Sequence, residues 1–172
     1  MPRSGAAILA ANHASFLDPI LIGMRARRPV RFVVSQEFYG DPRLNAVLRW
    51  FGTIPVGGNS GIFRSFRLIA DAIARGELLG IFPEGGITRD GAMKPFRDGA
   101  ALIALRTGVP VVPIHIGGTF EALPRHAKWP RFVSVSLRIG LPIDVAPQRR
   151  PTDEAVSALT ESIRSAVAAL GI

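Results

Sequence analysis

Short apolar runs that stop at polar or glycine-rich turns, with helical periodicity in the intervals, constrain this chain more than any other feature. Ala6 to Ala11 is one such run, ending in Asn12-His13; Val30 to Ser35, Thr53 to Val56, Leu78 to Phe82 and Val109 to Ile116 follow it. Continuous apolar runs this short fit strands buried on both faces. Val133 to Ile139 reads as a further strand. The clearest helix is predicted from Arg64 to Arg75, where Phe66, Ile69, Ala70 and Ile73 make one apolar stripe and Gly76 ends the pattern. Other helices are predicted over Phe16 to Arg27, Pro42 to Phe51, Arg97 to Thr107 and Thr152 to Leu170. Strands alternating with helices predict a single α/β domain, its sheet mixed and largely parallel and flanked by helices. Ligand chemistry then belongs in loops at the strands' carboxyl ends, here Asn12 to Asp18, Gly57 to Gly61 and Pro83 to Arg97.

A chain of 172 residues suits one such domain, and 48 % apolar residues exclude general disorder. The net charge of +8 predicts an anionic partner, whether a phospholipid surface, an acidic protein, a phosphate-bearing substrate or nucleic acid. Nucleic acid ranks low, because the arginines are dispersed and one Tyr and two Trp offer little stacking surface. Without cysteine there is neither a disulfide framework nor a thiolate metal site. No stretch reaches the ~18 apolar residues of a membrane-spanning helix, and the opening residues do not read as a signal peptide. These features predict a protein that is soluble or peripheral unless something outside this chain anchors it.

The run Asn12-His13-Ala14-Ser15-Phe16-Leu17-Asp18, a His-x4-Asp pattern, carries the strongest chemical signal. A histidine just past a buried strand can take a proton from a hydroxyl. A carboxylate five residues on can fold back to the other ring nitrogen and fix its tautomer. The same residues also read as a helix start: Ser15-x-x-Asp18 resembles a capping box, and Asp18-Pro19 an N-cap followed by proline. The residues alone leave both readings open.

Phe82-Pro83-Glu84-Gly85-Gly86 then runs from a strand into a glycine-rich turn, followed by Arg89, Lys94 and Arg97 that can neutralise a phosphate. A surface turn with ordinary charges is the plainer alternative. Gly52-Thr53-Ile54-Pro55-Val56 can line a groove, and Val109 to Ile116, including His115, reads as core. His126 reads as a surface residue. The three histidines share no metal-ligand spacing, so no metal site is expected.

Taken in order, Asn12-His13-x-Ser15-Phe16-x-Asp18, Gly52-x-Ile54-Pro55-Val56, Phe82-Pro83-Glu84-Gly85 and Val109-Pro110-Val111-Val112-Pro113 resemble the four-block signature of the glycerolipid acyltransferases. These are the 1-acylglycerol-3-phosphate and lysophospholipid acyltransferases. The wording around Arg28 to Val33 and Pro83 to Gly91 looks like the branch that re-acylates 2-acylglycerophosphoethanolamine.

The resemblance implies a glycerol-3-phosphate-acyltransferase-like fold, His13 as general base and Asp18 as its partner. It implies transfer of an acyl group from an acyl-carrier-protein or coenzyme A thioester to a lysophospholipid hydroxyl at an anionic membrane surface, with no cofactor or metal. Glu84 and Gly85 fall in the acceptor-binding block. Asn12, Ser15, Gly86, Arg89, Lys94 and Arg64 complete the candidate substrate-binding set, with Arg64 standing in for an arginine that often follows the second block. Gly57-Gly58 after Val56, and Gly86-Ile87 in place of the usual Thr-Arg, depart from the pattern and open the acceptor's identity. Another lipid acceptor, such as lysophosphatidylethanolamine or an amino-acid lipid, or a non-catalytic lipid-binding module, are the alternatives. Residues 1–172 are expected to be an acyltransferase domain without the membrane-associating helices that usually precede the first block.

Overall fold

The computed structural model describes residues 1–40, 45, 48, 49, 52–57, 62–125, 127 and 129–171. Its strands are β1 (Ala7–Ala11), β2 (Val30–Ser35), β3 (Ile54–Val56), β4 (Leu78–Ile81), β5 (Val111–Gly117) and β6 (Ser136–Ile139). They form one sheet in the order β3-β2-β4-β1-β5-β6. Every neighbouring pair from β3 to β5 is parallel, and β6 alone runs antiparallel, against β5. The mixed, largely parallel α/β sheet expected from the sequence is therefore present.

The helices are α1 (Asp18–Arg25), α2 (Ile62–Ala74), α3 (Gly99–Thr107), the single turn α4 (Thr119–Ala122) and α5 (Asp153–Ala169). α1 starts two residues later than the apolar pattern suggested, because Ser15 to Leu17 form a turn instead of helix. A 3-10 helix, Gln36–Gly40, follows β2 and carries no periodic signal that sequence could have used. Most of the helix expected over Pro42 to Phe51 lies outside the described residues, as do residues 58–61 of the second loop and His126. Asn45, Leu48 and Arg49 are helical. Thr152 caps α5, its hydroxyl accepting the Ala155 N–H at 3.2 Å.

Period-two alternation along the central strands divides the core between the two faces of the sheet. Ile8, Ala10, Leu79, Ile81 and Val111 pack with residues of α2, α3 and α5. Ala7, Leu9, Ala11, Leu78 and Val112 face the other way, where Ile22 of α1 joins them. All five β1 residues are wholly buried, and a one-residue slip would exchange the residues packed on its two faces. No described helix is long and apolar enough to cross a membrane.

Because β1 and β4 are neighbours and parallel, the segments that leave their carboxyl ends emerge side by side. Two loops seventy residues apart in sequence are thereby brought together. The fold places the site there.

Candidate functional site

The first loop is held from three directions. The His13 N–H donates to Glu84 Oε1 at 2.8 Å, and the His13 carbonyl accepts the Thr88 N–H at 2.9 Å. Both contacts come from the segment after β4, so the two loops are laced together at the histidine itself. Asn12 fixes the loop to β5: its side-chain amide donates to the Ile116 carbonyl at 2.9 Å and accepts the Ile116 N–H at 2.7 Å. Ser15 is wholly buried and donates its hydroxyl to the Leu123 carbonyl at 2.7 Å.

Asp18 organises the turn. Its Oδ2 accepts the N–H groups of Ala14 and Ser15 at 2.7 and 2.8 Å and lies 2.9 Å from His13 Nδ1. The two readings of Asp18 are therefore not alternatives. One oxygen both closes the turn, as the acidic residue of a capping box does, and holds the imidazole. The simple N-cap reading does not apply, since Leu17 is the N-cap residue and Asp18 the first of α1. A carboxylate that accepts from Nδ1 selects, in the neutral imidazole, the tautomer with the proton on Nδ1 and a lone pair on Nε2. His13 lines a cavity of about 1150 Å³. With Nδ1 engaged, Nε2 is the ring nitrogen available to a ligand there.

Stacking fixes the ring further. The imidazole lies 4.0 Å from the Phe82 ring with 16° between planes, and Phe82 stacks on Phe32 at 5.9 Å. Phe32 faces Gly80 across the β2–β4 ladder. A Cβ on Gly80 would lie 2.4 Å from the Phe32 ring, so only glycine lets the ring lie flat there.

Both oxygens of Glu84 are spent on backbone, Oε1 on His13 and Oε2 on the Lys94 N–H at 3.0 Å. Burial pushes its carboxyl above the usual range, against the lowering effect of those two N–H donors. Asn12, Ser15 and Glu84, expected to bind substrate, do not line the cavity. They are buried polar groups satisfied by the scaffold, and their effect on a ligand passes through the loop they hold. Arg64 is also displaced from its expected part. α2 turns Ser65, Phe66 and Ile69 toward the cavity, while Arg64 is exposed and does not line it.

Gly85, Gly86, Arg89 and Lys94 do line the cavity, as does Arg97. The Lys94 ammonium donates to the carbonyls of Gly86 and Ile87 and so closes the glycine turn. Gly85 has φ +72, and a Cβ on it would lie 2.6 Å from Arg97 Nε, so the guanidinium rests directly over this glycine. Gly85→Ala is expected to lower stability by about 1–2 kcal/mol for the left-handed backbone and to displace Arg97. Urea denaturation would register the change.

Arg125 adds a further cation. Sequence reading missed it, because it follows a four-residue helix within the least regular stretch of the chain. Asp90 lines the same wall, its Oδ1 taken by the Thr88 hydroxyl at 2.8 Å and the Ala92 N–H at 3.0 Å. Those donors hold its carboxyl below the usual range. Phe32, Val34, Phe38, Phe66, Ile69 and Ile103 supply apolar lining, with Glu37, Ser35, Thr53 and Ser65 as polar members of the same cavity. His115 does not line the cavity. Burial and nearby Arg138 push its imidazole down.

A family model described as Acyltransferase matches residues 1–117, the segment that supplies β1 through β5 and both loops. The chain belongs to the acyltransferase family. Among its similar relatives is the 1-acyl-sn-glycerol-3-phosphate acyltransferase BAT2, chloroplastic, of Brassica napus. The two are 29 % identical over 119 residues, 68 % of this chain and 34 % of the relative. The 1-acyl-sn-glycerol-3-phosphate acyltransferase of Borreliella burgdorferi is 27 % identical over 152 residues, 84 % of this chain and 59 % of the relative. The chain thus spans about a third to three-fifths of the length of these two family members. The crystal structure of the 1-acyl-sn-glycerophosphate (LPA) acyltransferase, PlsC, from Thermotoga maritima superposes with a TM-score of 0.75. It has 26 % identity and covers 99 % of this chain and 67 % of that one. The acyltransferase fold accordingly extends past the matched family segment through β6 and α5.

Proposed function

We propose that this chain transfers a fatty acyl group from a thioester to the free hydroxyl of a lysophospholipid, with 1-acylglycerol-3-phosphate the favoured acceptor. One observation carries the reading: an imidazole held by a buried carboxylate through Nδ1, in a cavity whose lining combines Arg89, Lys94, Arg97 and Arg125 with a large apolar surface. An acceptor of this class has the matching parts, a phosphate, a hydroxyl and an acyl chain. The names of the relatives support the choice.

In this reaction His13 Nε2 takes the proton of the acceptor hydroxyl as its oxygen attacks the thioester carbonyl carbon. Asp18 stabilises the imidazolium that forms. The tetrahedral adduct collapses by breaking its carbon–sulfur bond, and the departing thiolate takes the proton back from Nε2. The base is regenerated and no covalent acyl-enzyme is needed. The developing oxyanion needs a donor. Gly85 N–H cannot serve, since it donates to the Phe82 carbonyl at 3.0 Å. The Gly86 N–H has no acceptor among the described residues, and it takes this part.

The donor is read as a coenzyme A or acyl-carrier-protein thioester, and the setting as peripheral, on the cytoplasmic side of a membrane where such thioesters are supplied. Arg89, Arg97 and Arg125 bind the acceptor phosphate. Replacing Arg97 or Arg125 by alanine is expected to raise the acceptor KM roughly tenfold or more, the worth of a charge-assisted hydrogen bond. The kcat changes little. An acceptor panel tests the assignment. 1-Acylglycerol-3-phosphate should be preferred over lysophosphatidylethanolamine and over amino-acid lipids, and the arginine variants should narrow that preference. A preference for a zwitterionic acceptor, untouched by the arginine variants, would reject it.

A further inference from the structure

Large apolar side chains stand in water at two places beside the cavity. On α1 and the turn before it, Phe16, Ile20 and Met24 recur every fourth residue and are 48 %, 49 % and 78 % exposed. Phe16 and Ile20 also line the cavity, so the cavity opens at this stripe. The second place follows α4, where Trp129 is 82 % exposed and Phe132 fully so, with Val133 and Val135 beyond them.

Hydrogen bonds join the two places. The Ser15 hydroxyl donates to the Leu123 carbonyl at 2.7 Å, and the Arg131 N–H donates back to the Ala122 carbonyl at 2.7 Å. Leu123 is thereby held against the turn that carries Phe16, and Arg131 is tied back to α4 beside it. Arg125, between Leu123 and Arg131, shares the cavity with Phe16.

Between Glu121 and Asp144 the sequence holds no carboxylate side chain, while Arg125 and Arg131 interleave with Trp129 and Phe132. Arg25 and Arg27 are exposed at the end of α1. Exposed aromatic residues set among cations match the interface of an anionic bilayer, where rings sit at headgroup level and arginines meet lipid phosphates. A protein partner would have to be both apolar and acidic at the mouth of a lipid-sized cavity.

We propose that the α1 stripe and the Trp129–Phe132 segment form a bilayer anchor, docking the cavity mouth on an anionic membrane surface. The proposal rests on the reading that the acceptor is a lipid. Docked in this way, the cavity receives its acceptor from the bilayer without passing the apolar chain through water.

The test is co-sedimentation of the purified chain with phosphatidylcholine vesicles, with and without about 30 % phosphatidylglycerol, which supplies the anionic surface. Wild-type protein should sediment with the anionic vesicles only, and should be released as salt rises and screens the arginines. Trp129→Ser with Phe132→Ser should weaken partition at least about tenfold, as expected for removing buried aromatic surface. Met24→Glu should weaken it from the other half of the face. None of these residues lines the cavity, so turnover of a water-soluble short-chain acceptor should be unchanged in both variants. If the double variant loses that turnover, it has misfolded and Met24→Glu carries the test. Wild-type binding by both variants, equal binding to neutral vesicles, or a wild-type chain that stays in the supernatant would overturn the anchor. Short-chain turnover without vesicle binding rejects the anchor and keeps the reaction; vesicle binding without turnover of any acceptor rejects the reaction instead.

Discussion

His13→Ala should lower kcat by about 10²- to 10⁴-fold, the range for loss of a positioned general base, while leaving the fold in place. The side chain makes no contact on which the core depends. Its ring stacks on Phe82, itself supported by Phe32, and removing such a pair costs about 0.5–1.5 kcal/mol. The backbone bonds of His13 to Glu84 and Thr88 do not involve the ring and survive the change. The KM for the acceptor should therefore move little, because the arginine wall is untouched. Steady-state kinetics with circular dichroism separate the outcomes. Loss of kcat in a folded protein is the expected result, and a parallel loss of fold would point to a structural histidine.

Asp18 should show two different losses, according to the replacement. Asp18→Ala removes the acceptor of the Ala14 and Ser15 N–H groups, both in buried residues. Two buried donors left unpaired cost about 1–3 kcal/mol each. Urea denaturation should show a fall of that order, roughly 2–6 kcal/mol in sum, enough to unfold a marginal domain. Asp18→Asn keeps the turn when the amide oxygen takes the Oδ2 position and accepts the same N–H groups. It loses the negative charge that steadies the imidazolium. Its kcat should fall as much as about 10⁴-fold, the size of the matching change in a Ser-His-Asp triad, with stability nearly retained. An alanine variant as stable as the parent would contradict the double use of Oδ2.

These predictions bear on what the sequence could tell. The strands were legible because β1, β4 and β5 are buried runs with sharp polar ends, and their alternation with helices implied the parallel sheet. The union of the Asn12 and Pro83 loops was legible only as a consequence of that sheet, since nothing local in either loop names the other. A linear pattern also does not say whether a polar side chain serves the backbone or the cavity. Asn12, Ser15 and Glu84 sit within the same short motifs as His13 and Gly85, yet they turn inward and satisfy main-chain groups. Arg64 lies on the exposed side of a helix whose expected stripe holds at Phe66, Ile69 and Ile73, while Ala70 is exposed and Ala72 is buried in its place. Its neighbours Ser65 and Phe66 reach the cavity instead. Arg125 was illegible for the opposite reason. It lies outside every periodic segment, and a contact distant in sequence, Ser15 to Leu123, ties its segment to the site.

In the proposed reaction His13 moves a proton from the acceptor hydroxyl to the departing thiolate within this cavity. Mass spectrometry tests it directly, with purified wild-type and His13→Ala proteins incubated with a labelled acyl thioester and 1-acylglycerol-3-phosphate. The wild-type protein should yield labelled diacylglycerol 3-phosphate and one free thiol per acyl group transferred, and the folded His13→Ala protein should yield next to none. Equal product from both proteins, or thiol release without acylated lipid, would contradict it.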